Sequence, residues 1–229
     1  LFMWPNARIS VMGGAQAAGV PGTVAGLWEA HQRYGRLPWK DLVMPAVELA
    51  EEGFLPAQAL VDDIHSMKDW FGDATGFYDH FGSISAEQPF RQPELGKTLR
   101  RIAEHGPEDF YRGETARLIV GEMERSNGLI TAEDLERYRA VWREPLRTPW
   151  RSYEILAAPP PSSGGFALIQ LLKMKDYLAD HFDGVPHNSP QYIHLVAEMK
   201  KRVFADSAEY LRDPDYVDNP IARLIADDY

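Results

Sequence analysis

Apolar residues recur at helical spacing along most of this chain, and the breaks between runs fall at glycine and proline. Val24, Leu27, Trp28 and His31 share one face of a predicted helix that Thr23 can cap and that Gly35 and Pro38 stop. A second helix straddles Leu42 and Leu49, with Pro45 kinking or restarting it and Gly53 supplying a left-handed end. Residues 56–70 read as helical again. Over residues 71–93 the chain turns aromatic and glycine-rich, and Phe77, Tyr78, Phe81 and Phe90 predict an ordered loop held by ring burial. Residues 95–104 and 113–125 form amphipathic patterns around Leu99, Ile102, Ile119 and Met123, the second ended by Asn127 and Gly128. Residues 1–22 read as loop, punctuated by Gly13, Gly14, Pro21 and Gly22.

Thr131 and Asp134 make a capping pattern for a short helix to Tyr138, with Leu135 facing a core. Residues 150–156, with Tyr153 and Ile155 on one face, are the best strand candidate. Residues 166–178 are the most apolar helical stretch, suited to burial on several sides. Ser189 before Pro190 is a cap and first-turn pair for a long helix to about Arg212, with Ile193, Val196, Phe204 and Leu211 approximating its apolar stripe. Helix therefore outweighs strand. No repeat of 20 to 50 residues is visible, which argues against a solenoid.

At 229 residues and 45% hydrophobic content, the chain can build a sizeable core, burying ~70% of its unfolded surface. Its net charge of −10 disfavours nucleic acid or an anionic membrane as partner, since both attract basic patches. With no cysteine there is no disulfide, thiolate nucleophile or zinc-thiolate site, and the compartment stays open. No run approaches the roughly 18 apolar residues of a membrane span, and no signal peptide appears at residue 1, although a truncated start would have lost one.

The candidate chemistry is sparse. In the run Ala158, Pro159, Pro160, Pro161, Ser162, Ser163, Gly164, Gly165 and Phe166, the prolines favour an extended backbone that cannot continue a helix. Either serine can then cap the apolar helix, and the same free N–H groups could hold an anion. Spacing leaves both readings open. His194 and Glu198 lie at i and i+4 with His187 one heptad earlier, but no set completes a metal shell. His31 suits a partly buried structural role. No Gly-x-Ser-x-Gly elbow, phosphate loop or dinucleotide fingerprint is present. The acidic group Asp206, Glu209, Asp213 and Asp215 reads as an ion-pair network with Lys201, Arg202 and Arg212 rather than as catalytic carboxylates.

Residues 159–165 resemble the Pro-Pro-Pro-Ser-Ser-Gly-Gly segment of the gamma-glutamyltranspeptidases, and further blocks follow that family in order. They are residues 19–26, Ala30 with His31, residues 34–39, Pro45 with Ala46, Leu49 with Ala50, and Gly53 with Phe54. Next come Gly106 with Pro107, residues 110–113, residues 128–131, residues 133–135 with Tyr138, and Ala205 with Asp206, Tyr210, Leu211 and residues 213–215. Ser207 and Arg212 depart from the family's arginine and glycine at those places, altering salt bridging and the turn at the helix end.

The resemblance implies an α+β fold: part of the αββα sandwich of N-terminal-nucleophile hydrolases, of which this predominantly α-helical segment is a single partial domain, residues 1–229. It implies a precursor that cuts itself into large and small subunits and uses the small subunit's new N-terminal threonine to cleave γ-glutamyl amides such as glutathione, passing the acyl group to water or an amino acid. The family's Thr-Thr-His or Thr-Ser-His start is absent at Thr23, Thr75, Thr98, Thr115, Thr131 and Thr148. Arg8 does not fit the family's carboxylate-binding arginine, because no proline follows in register. The chain is thus expected to be a large-subunit region truncated at both ends, with no catalytic, cofactor-binding or metal-binding residue and no cofactor. Its implied partners are the small subunit and a small γ-glutamyl substrate, and the resemblance favours a periplasmic or extracellular site over a cytoplasmic one. A related acylase, a poly-γ-glutamate processing amidase and a non-catalytic helical binding module remain alternatives.

Overall fold

The structure is a computed structural model describing residues 14–68 and 76–229. The readings made on Arg8, Gly13, Trp70 and the start of the aromatic segment at Phe71 lie outside the described residues. The chain divides into two compact units, Leu1–Val141 and Trp142–Tyr229.

The first unit is helical. Helix α1 spans Thr23–Tyr34, with Gly22 and not Thr23 at its N-cap and no side-chain cap. A distant residue satisfies this helix end instead. The Tyr111 hydroxyl accepts from the Ala25 N–H at 3.2 Å and donates to the Pro21 carbonyl at 2.6 Å. A helix end needs its free N–H groups satisfied from somewhere, and tertiary contact has replaced the local threonine. Helix α2, Trp39–Glu52, runs through Pro45, and Gly53 ends it at φ +86°. It packs against α5, Pro93–His105, where the Trp39 indole donates to the Ile102 carbonyl at 2.9 Å. Val47, Ala50, Ile102 and Ala103 are buried.

Helix α3 covers Gln58–Ser66. The aromatic segment contains a short helix, α4, Phe77–Phe81, where sequence had indicated only loop. Ring packing is nonetheless what organises it: Phe81 meets Phe77 and Phe90 at 4.8 and 5.8 Å, and Phe90 meets Phe54 edge-on at 6.2 Å. After α5 comes α6, Pro107–Arg112, a turn of helix not foreseen because its six residues are too few to show periodicity. Helix α7 spans Glu114–Arg125 and α8 spans Ala132–Arg137. The capping box read at Thr131 and Asp134 is present, with reciprocal bonds of 3.2 and 2.9 Å. Tyr111, Ala116, Ile130 and Leu135 form the buried cluster that joins these helices.

The second unit opens with a hairpin. Strand β1, Leu146–Trp150, pairs antiparallel with β2, Tyr153–Ala157, from Leu146 opposite Ala157 to Trp150 opposite Tyr153. Sequence located β2 but missed β1, because Arg147 and Pro149 disguise it: proline removes a ladder donor and reads against a strand. Helix α9, Ser163–Tyr177, packs on the hairpin and on the long α11, Pro190–Tyr210. Short helices α10, Ala179–Phe182, and α12, Ile221–Leu224, complete the unit. Ser189 caps α11 by accepting from the Tyr192 N–H at 3.2 Å, as its place before Pro190 suggests. The stripe read along α11 holds only in part: Val196 is half-buried and Leu211 packs against the core, but Ile193 and Phe204 are exposed, and the buried positions are Met199 and Val203, one turn apart. Phe166, Val203 and Leu224 make the core.

Candidate functional site

The proline segment leads the chain from β2 into α9. The Ser162 N–H donates to the Pro159 carbonyl at 3.2 Å around a cis Pro160–Pro161 peptide, so the run is a tight turn and not the extended rod that three prolines suggest. Ser162 is the N-cap residue of α9, and its hydroxyl accepts from the Gly164 N–H at 3.4 Å, near the limit of a hydrogen bond. Ser163 is already helical. Of the two glycines, Gly165 is the one the fold demands: a Cβ there would sit 2.2 Å from the Ala158 carbonyl oxygen and 2.8 Å from the Ala157 Cβ. Gly164 has space, with its nearest neighbour at 3.6 Å. The motif therefore lets a helix start directly against the end of a strand.

On α9, Gln170 and Lys173 lie three residues apart in an otherwise apolar stretch and grip the chain that follows α12. The Gln170 amide donates to the Leu224 carbonyl at 2.8 Å and to Asp206 at 2.9 Å. The Lys173 ammonium reaches the Ile225 carbonyl at 2.7 Å and Asp227 at 2.6 Å. The Tyr229 hydroxyl donates to the other Asp206 oxygen at 2.9 Å, and that bond, with burial and the carboxylate charge, raises its pKa. These residues border an open groove of about 830 Å³ with Pro149, Trp150, Met174 and Tyr177. The buried Gln170 Oε1 and Trp150 Nε1 have no hydrogen-bond partner among the described residues. Sequence reading passed over Gln170 and Lys173, though polar side chains inside the most apolar helix were the available signal.

The acidic group does not form the network expected of it. Lys201 and Arg202 pair with Glu198, at 2.8 and 3.3 Å, while Asp206, also four residues from Arg202 on this helix, is engaged by Gln170 and Tyr229. Arg212 bonds the Ala208 and Leu211 carbonyls, and Asp215 pairs with Arg143 at 2.8 Å. Glu198 is thereby engaged in ion pairs with its neighbours, and no metal-competent cluster occurs among the described residues. In the first unit, His31 Nε2 lies 2.8 Å from the Leu37 carbonyl, and the ring meets Trp39 at 5.4 Å, which fits the structural role read for it.

The first unit also holds a carboxylate, buried at Asp109. It accepts from the Thr115 hydroxyl at 2.5 Å, the Glu114 N–H at 3.0 Å and the Arg101 guanidinium at 3.1 Å. Burial pushes its pKa up, but the bonds from Thr115 and Glu114 and the pairing with Arg101 together outweigh it and hold the pKa below the usual carboxylate value. Both carboxylate oxygens are met by donors from neighbouring helices, so this is a joint between α5, α6 and α7.

The comparisons with known proteins agree on one family. The model of gamma-glutamyltranspeptidase matches residues 2–229. The "Glutathione hydrolase proenzyme" of Pseudomonas aeruginosa is 52% identical over 211 residues, covering 92% of this chain and 38% of that protein. The "Acylase ACY 1 proenzyme" of Pseudomonas sp. strain V22 is 35% identical over 93% of this chain and 38% of its own length. The solved structure of gamma-glutamyltranspeptidase from Pseudomonas nitroreducens complexed with L-DON superposes with a TM-score of 0.91 at 50% identity, covering 94% of this chain and 64% of that one. The predominantly helical fold is thus that of the large-subunit region of an N-terminal-nucleophile hydrolase. The chain spans about 38% of the length of these curated relatives, and it belongs to the gamma-glutamyltranspeptidase family.

Proposed function

We propose that these residues are the large-subunit portion of an enzyme that cleaves γ-glutamyl amides such as glutathione and transfers the γ-glutamyl group to water or an amino acid. The 52% identity to a glutathione hydrolase proenzyme carries this reading, against 35% to an acylase. In this reading both units belong to one large-subunit domain, and the small subunit of the same precursor is their partner. The nucleophilic threonine, its base and the oxyanion donors come from that subunit. No residue of the 229 is assigned to catalysis, to a cofactor or to a metal, and the chain's share is to position the other half. Gly165, Gln170 and Lys173 contribute by fixing α9 against the hairpin and the 224–229 segment against α9.

The test is to express the complete precursor, follow its cleavage into two chains and assay a γ-glutamyl anilide beside a cephalosporin-type amide. Cleavage with preference for the γ-glutamyl compound supports the proposal. Preference for the cephalosporin-type amide would move the protein to the acylase branch of the family, and a precursor that neither cleaves nor turns over either compound would leave a binding module.

A further inference from the structure

The connection from α9 to α11 brings two rings and a cation to one corner. Gly184, at φ +67°, and Asn188, at φ +59°, allow two successive turns, in which the Val185 N–H donates to the Phe182 carbonyl and the Ser189 N–H to the Pro186 carbonyl, each at 3.1 Å. Phe182, the last residue of α10, thereby meets Tyr192 in the first turn of α11, with ring centroids 5.7 Å apart and planes at 76°. The His187 ring, from the connection itself, lies edge-on to Tyr192 at 4.9 Å.

Lys175, in the last turn of α9, fills that corner. Its ammonium lies 5.6 Å from the Phe182 centroid and 5.7 Å from that of Tyr192, so the cation and the two rings form a nearly equilateral triangle. Lys175, Phe182 and Tyr192 are all half-buried. The choice of partner is informative. Asp180 and Asp183 flank Phe182 along the chain and Asp176 is adjacent, yet Asp176 pairs with Arg151, and Lys175 forms no ion pair among the described residues. An exposed ion pair contributes little, whereas a cation over ring faces gains as water is excluded. The C-terminal end of a helix also favours a positive charge.

We infer that Phe182 and Tyr192, with His187 beside them, form a binding site for ammonium groups, and that the Lys175 side chain is its tethered occupant. The ligand class follows from the walls. Two ring faces at a steep angle attract positive charge but replace none of a cation's hydrogen bonds to water, so a methylated ammonium suits the corner and a strongly hydrated sodium ion does not. The tether gives Lys175 an effective concentration that a free cation does not match, so the site is closed in the parent chain and acts as a clasp holding the 178–189 connection on α9. Removing the Lys175 side chain opens it. Neither the site nor the clasp depends on what the complete precursor cleaves.

Reductive methylation of the complete precursor with isotope-labelled formaldehyde turns each lysine into a dimethylammonium probe whose NMR position reports nearby rings. The resonance that disappears in Lys175→Arg belongs to Lys175, and it is expected upfield of every other lysine signal. A position among the remaining lysines would overturn the inference. The ligand class is tested by melting Lys175→Ala in tetramethylammonium chloride and in sodium chloride at equal concentration. Tetramethylammonium is expected to raise the midpoint of the variant by about 2 °C more than sodium does, reaching a plateau, and to make no such difference to the parent. Equal midpoints in the two salts would overturn the ammonium site, and so would a difference of the same size in the parent, which would mark a general salt effect. Should Lys175→Ala fail to fold, the methylated parent still decides, since its Lys175 signal is either displaced by the rings or it is not.

Discussion

Asp109 in the first unit and Asp206 in the second both tie helices together, and their surroundings differ in kind. Asp109 is met by a guanidinium, a hydroxyl and a backbone N–H, and its side chain is 9% exposed. Asp206 is met by two neutral donors, the Gln170 amide and the Tyr229 hydroxyl, on the border of an open groove. One joint is closed and charge-paired. The other lies beside a Gln170 Oε1, a Trp150 Nε1 and a two-stranded hairpin that have no further partner among the described residues. Buried polar groups in finished structures are satisfied, so these two atoms, like His31 Nδ1 in the first unit, mark places with room for a further partner.

The sharpest way to break this contrast is to remove both carboxylates in turn. Asp109→Ala takes from the Arg101 charge, 19% exposed, its nearer carboxylate and leaves only Glu114 at 3.8 Å, and the loss in urea unfolding is expected to be about 3 kcal/mol. Asp206→Ala removes two bonds between neutral donors and a carboxylate near solvent, and about 1 kcal/mol is expected. Equal losses would refute the difference drawn between the two joints.

The Asp109 joint also has a pH signature. Its carboxylate pKa is lower folded than the ~3.9 of the unfolded chain, so its stabilisation is fully present above that value. It is lost as the pH falls through the folded pKa, where the native state finally takes up the proton that the unfolded state has already bound. Asp109→Asn is expected to be less stable than the parent at neutral pH, with the gap narrowing in acid titrations of the unfolding midpoint. A gap that stays constant down to pH 2 would show that the charge contributes nothing.

Within the second unit, shape matters more than charge. Gly165→Ala places a methyl 2.2 Å from a backbone oxygen that cannot swing away, and a loss of about 2 kcal/mol is expected in thermal melting. Gly164→Ala, with open space, is the control and is expected to be neutral or slightly stabilising. The smallest effect belongs to the serines. With the Ser162 contact at 3.4 Å and Ser163 inside the helix, Ser162→Ala with Ser163→Ala is expected to cost below ~1 kcal/mol and to lower kcat/KM of the complete enzyme less than about fivefold. A hundredfold loss of kcat/KM with unchanged melting would place the hydroxyls against substrate.

What could be read from sequence follows from how local each feature is. The capping box at Thr131, the Ser189 and Pro190 start and the apolar helix after Gly165 depend on neighbours within a few residues, and all are present. The errors arise where a distant partner decides. Tyr111 supplies the bond expected of Thr23 across 86 residues, β1 exists because β2 pairs with it, and α11 turns Met199 and Val203 inward because α9 and α12 lie there. The long proline run resolved into a turn closed by the Ser162 N–H on the Pro159 carbonyl, because proline fixes φ but leaves ψ to context. The candidate site was legible only as a motif. Gln170 and Lys173 gained meaning once the 224–229 segment was seen to fold back on them.

In the function proposed above, this chain positions a γ-glutamyl-transferring active site whose nucleophile lies outside its residues. The most direct measurement assays the purified 229-residue chain and the complete precursor side by side on a γ-glutamyl anilide. The account expects turnover by the precursor and none by the chain alone, and turnover by the chain that survives removal of every contaminating enzyme would contradict it.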